Sequence, residues 1–402
     1  MRTAWGTQRL DANCCLYVGV QPLSPPGCVT GQHHRAEVLR RREIFVRNWP
    51  DQRLLDLFGI ALPILQAPMA GPGTPELAMA VSDAGGLGSL PCAQLSLEQT
   101  RAALDLIRPS ASRPLNLNFF CHVPPVADPV RSLNWRACLA PYFVELGLDP
   151  ETVPAQAGRR PFDGDFCTLV EEYRPRVVSF HFGLPRRDLM DRVKTAGAKV
   201  ISSATTVAEA RWLQDHGCDA IIAMGFEAGG HRGNFLTEDM SRQIGTFALV
   251  PQVADAVSVP VIAAGGVADA RGIVAAFALG AAAVQIGTAY LFCPEANVPS
   301  LHLAALNTAT ADDTVITNVF TGRPARGIVN RLMREQGPLS SMTPEFPLAA
   351  TALAPLRAKA EAAGSGDFTN LWSGQAVRLA RRSMPAGELT QLLARQALEK
   401  LG

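Results

Sequence analysis

Excess charge, aromatic rings and paired cysteines are all scarce in this 402-residue sequence. The 37 basic and 36 acidic residues leave a net charge of +1, so no strongly basic domain is present to bind nucleic acid. Charged residues make up 18% and apolar ones 48%, which is too apolar and too balanced for a mostly disordered chain. Aromatic residues are only 6% of the total. The nine cysteines include no C-x-x-C pair, so neither a zinc site nor a disulfide framework is expected; thiols of the reducing cytoplasm fit better. No G-x-S-x-G elbow, H-E-x-x-H helix or Walker sequence occurs, so the chemistries of those motifs gain no support. One uncharged run, Gly272–Pro294, is long enough to cross a bilayer. It is rich in Ala and Gly rather than Leu and Ile. It reads instead as a buried helix, Arg271–Leu279, a turn at Gly280 and a buried strand, Ala282–Leu291.

Lysine is also rare, four of the 37 basic residues, which we read as coding bias. The first 50 residues carry seven arginines against three acids, hold Cys14, Cys15 and Cys28, and show neither periodicity nor a secretory apolar core. They read as a disordered extension, with an organellar transit peptide as the alternative.

Beyond residue 50 short apolar runs alternate with amphipathic stretches. The expected strands are Pro63–Ala67, Gly86–Leu90, Leu115–Phe120, Val177–Phe182, Lys199–Ser203, Ala220–Met224, Val261–Ala264 and Ala283–Tyr290. Helical stretches fall between them at Pro75–Asp83, Leu97–Ile107, Arg186–Thr195, Val207–His216, Val250–Val257 and Ala270–Leu279. Strands apolar on both faces, alternating with helices, imply a parallel sheet covered on both sides. Eight of them in about 240 residues suit a (β/α)8 TIM barrel, an α/β fold, over residues 51–312. A doubly wound open sheet is the alternative, but Gln66–Gly71 after the first strand is no dinucleotide fingerprint. The rhythm breaks at 121–176, a long insertion after strand 3 in the position of a lid. Residues 313–402 read as a mostly helical extension packing on the barrel.

Three clusters fall at the C-terminal ends of the expected strands, the face on which such barrels carry their active sites. The first is the pair of turns Gly265-Gly266 and Gln285-Ile286-Gly287-Thr288. Glycines let backbone N–H groups approach an anion, so the pair suits a phosphate, with the Thr288 hydroxyl as a further donor. The same glycines could also serve only as tight turns. The second cluster is Met224–Gly233, a Gly-rich loop carrying His231 between Glu227 and Arg232. Histidine is a usable base near neutrality, and an adjacent arginine would favour its neutral form. His122 and His181 end strands 3 and 4 and so face the same mouth. The third cluster is Ala67-Pro68-Met69 with Asn116 and Asn118, which leaves room for a flat ring or simply packs a barrel layer. A phosphate site, a flat pocket and a base together suggest FMN.

On these residues the sequence resembles the nitronate monooxygenase family, formerly called 2-nitropropane dioxygenases. The matching segments are Pro63–Gly71, Gly85–Gly88, Leu117–Phe119, Ser179–Gly183, Glu227–Gly233, Ala264–Gly266, Gln285–Thr288 and Thr321–Gly327, in order and spacing. The resemblance implies an FMN-dependent barrel enzyme that oxidises alkyl nitronates, nitroalkanes or propionate 3-nitronate with O2 to a carbonyl compound and nitrite. It implies His231 as the base for neutral nitroalkanes, Ala67, Pro68, Met69 and Asn118 against the flavin, and Gly229, Gly266 and Gln285–Thr288 holding its ring and phosphate. The family commonly has glutamine at the position of Met224, and methionine cannot supply the amide's hydrogen bonds. FMN-dependent enoyl-ACP reductases are the enzymatic alternative, and a non-catalytic flavin-binding protein is the alternative of another class. A cytoplasmic enzyme acting on small molecules follows, without metal, membrane or nucleic acid, and with a homodimer left open.

Overall fold

The computed structural model describes residues 49–107, 113–126, 128–152 and 159–402. The chain divides into two units, Met1–Glu43 and Ile44–Gly402, and every described residue lies in the second. The expected extension falls outside the described residues except at its end, where Trp49 is buried and stacked on Phe277 at 5.5 Å.

Eight parallel strands form one sheet: β1 (Ile64–Gln66), β2 (Gly88–Pro91), β3 (Leu115–Phe120), β4 (Val177–His181), β5 (Lys199–Ala204), β6 (Ala220–Met224), β8 (Val261–Ala264) and β9 (Ala283–Ile286). The spatial order is β1-β9-β8-β6-β5-β4-β3-β2. Leu87, just before β2, bonds to β1 in both directions: its carbonyl accepts the Gln66 N–H and its own N–H reaches the Ile64 carbonyl, each at 3.0 Å. These bonds join the two ends of the sheet, completing the (β/α)8 barrel. The strands are buried almost throughout, which is why they read as continuous apolar runs. Register lines up their ends around one mouth: Met224 lies beside Ala264, Ala264 beside Gln285, Gln66 beside Ile286 and Asn118 beside Ser179.

Three departures from the sequence-based expectation matter. The last strand ends at Ile286 rather than Tyr290, because after Gly287 the chain tightens into a 3-10 turn, Thr288–Phe292, that buries Tyr290 against Thr390. The described residues of 121–176 form two helices, Pro129–Glu145 and Gly164–Tyr173, and the second takes the ordinary helix position between β3 and β4. Its start is fixed by Asp163, whose carboxylate accepts the N–H groups of Asp165 and Phe166. Finally, the region beyond residue 312 carries strands as well as helices. A small antiparallel sheet joins β10 (Thr314–Thr317) and β11 (Ala325–Ile328) to β7 (Gly230–His231) from the loop after β6. Its helices are Arg331–Gln336, Leu348–Ala362, Val377–Ala380 and Ala386–Leu401, and the last packs on the Pro75–Asp83 and Ala270–Ala278 helices of the barrel. Among the described residues no helix is long and apolar enough to cross a membrane, and the Gly272–Pro294 run folds as a helix and a strand.

Candidate active site

Beyond β6 the chain turns against the Thr246–Ala256 helix so closely that a Cβ on Gly225 would sit 1.9 Å from Thr246 Oγ1. Glu227 caps that helix: its carboxylate accepts the Thr246 N–H at 2.8 Å and the hydroxyl at 2.7 Å. Arg232 is fully buried and donates to the carbonyls of Gly225 and Met224, at 2.7 and 2.8 Å, and to Gln243 at 2.9 Å. The two charged neighbours of His231 are thus committed to holding the loop, and neither pairs with the imidazole.

His231 is held from three sides. Its backbone pairs with Ala325 of β11. Its carbonyl lies 3.1 Å from Nε2 of His181. A carbonyl only accepts, so His181 Nε2 carries the proton and its Nδ1 accepts from the Ser203 hydroxyl at 3.1 Å. His231 Nε2 lies 3.0 Å from Thr321 Oγ1. Four aromatic rings surround the imidazole: Phe346 at 5.4 Å, Trp372 at 5.6 Å, Phe182 at 6.0 Å and Phe120 at 6.1 Å between centroids. Phe182 adopts φ of +69°, a conformation rare for a bulky residue and one that tends to cluster at functional sites. His302 donates to the Trp372 carbonyl at 2.9 Å and so supports that wall from behind.

Two guanidiniums complete the cage. Arg323 lies 4.0 Å over the Phe182 ring and donates to the Asn234 carbonyl, while its Nε is buried with no partner. Arg159 lies 5.4 Å over Phe346, and its Nη1 is also buried and unpartnered. Burial pushes both down to about 10, and neither makes an ion pair with a described residue. The histidines respond. Burial, with the Arg159 and Arg323 charges, holds His231 well below its ordinary value; burial brings His122 and His181 down to about 4. The arginines acting on His231 are therefore remote in sequence, rather than the adjacent Arg232. His122 turns its ring edge to Phe346 at 4.9 Å, and its Nδ1 is buried without a partner.

The opposite wall is made largely of backbone. Gly265 and Gly266 take φ of +102° and +72°, and Gly229 lies so close to residues 373–374 that a Cβ would sit 2.5 Å from Gly374 N. Thr288 Oγ1 accepts the Gly374 N–H at 3.0 Å, which leaves its own proton to donate. A Cβ at Gly287 would touch Ala67 at 3.4 Å and the Met69 sulfur at 4.0 Å, so the ends of β1 and β9 adjoin, and Pro68 lies between those two residues. Ile286 is buried in the barrel, and its carbonyl accepts the Ala67 N–H at 2.8 Å. Asn118 donates to Ser179 Oγ at 3.0 Å. Gln285 Oε1 is buried with no protein partner. The Met224 side chain is buried and apolar, while its carbonyl is held by Arg232. Asn116 lies deeper, donating to Ser89 Oγ at 3.0 Å.

Sequence reasoning missed Arg159, Phe346 and Trp372, and took Thr321 and Arg323 only as part of a familiar segment. No local signal marks them, because the four rings that gather round His231 come from segments far apart in the chain.

The nitronate monooxygenase family model matches residues 51–396. A nitronate monooxygenase of Pseudomonas aeruginosa is 42% identical over 347 residues, covering 86% of this chain and 98% of that protein. The crystal structure of a nitroalkane oxidase from Streptomyces ansochromogenes superposes with a TM-score of 0.78 at 38% identity, covering 86% of this chain and 98% of its own. FabK from Thermotoga maritima follows with a TM-score of 0.65 and 30% identity, covering 87% of this chain and 96% of its own.

Proposed function

The chain belongs to the nitronate monooxygenase family of oxidoreductases, and on that premise we propose that it binds FMN in the barrel mouth and oxidises alkyl nitronates with O2 to a carbonyl compound and nitrite. The observation that carries this reading is the pairing of the two walls: a glycine cradle beside a histidine caged by rings and unpaired guanidiniums. The residues fit the cofactor. Gly265, Gly266, Gly287 and Thr288 would take its phosphate, and Ala67, Pro68, Met69, Asn118 and Gly229 would hold its flat ring. The orphaned Oε1 of Gln285 would accept from a ring donor. Met224 would offer that ring an apolar contact where an amide would offer hydrogen bonds. Bound FMN supplies the two-electron redox chemistry with O2.

The chain's own residues do the rest. His231, kept neutral by burial and by Arg159 and Arg323, removes a proton from the carbon of a neutral nitroalkane; a preformed nitronate needs no such step. The rings exclude water. The two guanidiniums neutralise the nitronate, and their unpartnered donors suit a substrate with a second anionic group, such as propionate 3-nitronate. The cytoplasm as location, and nitronate and O2 as small-molecule partners, belong to the same reading.

The test is direct. The purified protein should release FMN on denaturation, consume O2 and form nitrite with propionate 3-nitronate, and prefer that substrate to an uncharged alkyl nitronate of equal length. Released FAD, or NADPH oxidation with an enoyl thioester in place of nitronate turnover, would overturn it.

A further inference from the structure

The imidazole of His231 has two nitrogens, and only one is engaged. Nε2 faces Thr321 Oγ1 at 3.0 Å, while Nδ1 has no hydrogen-bond partner among the described residues. What Nε2 does depends on where the single hydroxyl proton of Thr321 points. Oγ1 lies 3.3 Å from the Arg323 carbonyl and 3.4 Å from the Arg323 N–H. A carbonyl can only accept, so the hydroxyl proton satisfies it by pointing there. The oxygen then has lone pairs left for the Arg323 N–H and for His231. In that arrangement Nε2 must be the donor, and the free lone pair of the ring sits on Nδ1. The reverse arrangement, Thr321 donating to Nε2, strips the Arg323 carbonyl of this bond. It also puts the ring proton on Nδ1, leaving no nitrogen free to act as a base.

The turn carrying Thr321 has little freedom to rearrange. Thr321 is buried, and Gly322 takes φ of +88° with the place of its Cβ only 2.1 Å from the Pro344 carbonyl. The Pro324 carbonyl accepts the Arg232 N–H at 2.8 Å, and Ala325 pairs with His231 in the β7–β11 ladder. Donor and acceptor are therefore anchored to the same small sheet.

We propose that Thr321 is a positioning residue that fixes His231 as the Nε2–H tautomer and so makes Nδ1 the atom that takes the proton from the substrate carbon. The proposal rests on the reading of His231 as the base. In the step, the carbon–hydrogen bond breaks, its electron pair stays on the substrate as the nitronate, and the proton goes to Nδ1. The resulting imidazolium keeps its Nε2–H bond to Thr321. A partner that sets a histidine's tautomer governs general-base turnover without touching substrate.

The experiment uses the full-length holoenzyme with 15N-labelled histidine. Two-bond proton–nitrogen correlation spectra at neutral pH report which ring nitrogen is protonated, with His231 assigned by its loss in His231→Asn. The wild type should read as Nε2–H. Thr321→Val should populate the other tautomer and lower kcat on a neutral nitroalkane by about tenfold or more, with KM and preformed-nitronate turnover held within about twofold. Thr321→Ser, which keeps the hydroxyl, should restore the wild-type tautomer and most of the rate. A wild-type Nδ1–H tautomer would overturn the proposal, as would equal losses on both substrates in Thr321→Val or failure of serine to rescue. If the valine variant does not fold, the wild-type spectrum still decides. If no nitroalkane or nitronate is oxidised at all, the proposed function fails while the tautomer measurement still judges Thr321.

Discussion

The two walls of the barrel mouth are made of different material. The wall at the ends of β1, β8 and β9 and at Gly229 is mostly glycine backbone and small or apolar side chains, and the one carboxylate against it, Glu227, is taken up in capping the Thr246–Ala256 helix. The wall around His231 is aromatic rings, imidazoles and two guanidiniums that form no ion pair with a described residue. A backbone wall recognises shape and fails when a single carbon is added. A side-chain wall recognises charge and proton affinity, and a substitution there changes rate or preference while leaving the cradle intact. The first suits a group of constant structure held through every turnover, and the second a molecule that arrives, reacts and leaves.

The largest effect should come from removing the proposed base in the side-chain wall. General-base catalysis contributes roughly 10²–10⁴-fold, so His231→Asn should cost about that much in turnover of a neutral nitroalkane. Turnover of the pre-ionised nitronate should fall far less, and flavin content should match the wild type, because the glycine wall is untouched. Equal losses on both substrates would mean that His231 binds rather than deprotonates.

The backbone wall should show the opposite pattern. In Gly229→Ala the new Cβ would lie 2.5 Å from Gly374 N and 2.6 Å from the Ser373 carbonyl carbon, both main-chain atoms that cannot swing aside. Relief requires residues 373–374 to move, and with them the bond from Gly374 N–H to Thr288. Overpacking of this kind costs about 1–3 kcal/mol. The variant should therefore melt at a lower temperature and be purified with less flavin, while the fraction that keeps flavin retains its substrate preference. An alanine variant with full flavin content and an unchanged melting temperature would show that Gly229 is only a turn residue.

The same division explains what was legible in the sequence. The barrel strands were readable because each is a short run buried on both faces, and most have a helix close behind, the exceptions being β3 and β6. The glycine turns were readable because their chemistry is local. The cage was not, since its parts are far apart in the chain: Thr321 lies 90 residues from His231, and Phe346 and Trp372 lie further still. Nothing in the spacing of Gly230-His231 signals a strand, because β7 exists only when β11 arrives to pair with it. Glu227 and Arg232 looked like partners of the histidine because they are its neighbours in sequence. Local backbone demands, a helix start without a side-chain cap at Gly245 and the carbonyls at the end of β6, claim them first.

The smallest expected effect concerns acid, and it separates the walls by titration. Burial holds the side-chain wall's histidines neutral, with His181 brought down to about 4 in the folded protein. In the unfolded chain the same group returns to about 6.5. As pH falls from neutrality, the unfolded state binds this proton first, so stability is full above about pH 6.5 and declines as pH falls toward 4. One such group contributes a slope of at most about 1.4 kcal/mol per pH unit in that window. Carboxylates such as Asp269, held below its ordinary range by its hydrogen bond to Arg271, lose their contribution at still lower pH, so the window belongs to the histidines. The urea midpoint should therefore drop steadily between pH 6.5 and 4.5. His181→Gln, whose amide can still donate to the His231 carbonyl, should show a shallower drop even if its midpoint at pH 7.5 is lower. Gly229→Ala should keep the wild-type slope, because its new contacts are with the backbone of residues 373–374 and leave the buried histidines untouched. A His181→Gln slope equal to the wild type would mean that the imidazole is already charged in the fold, and that the cage is wetter than its rings imply.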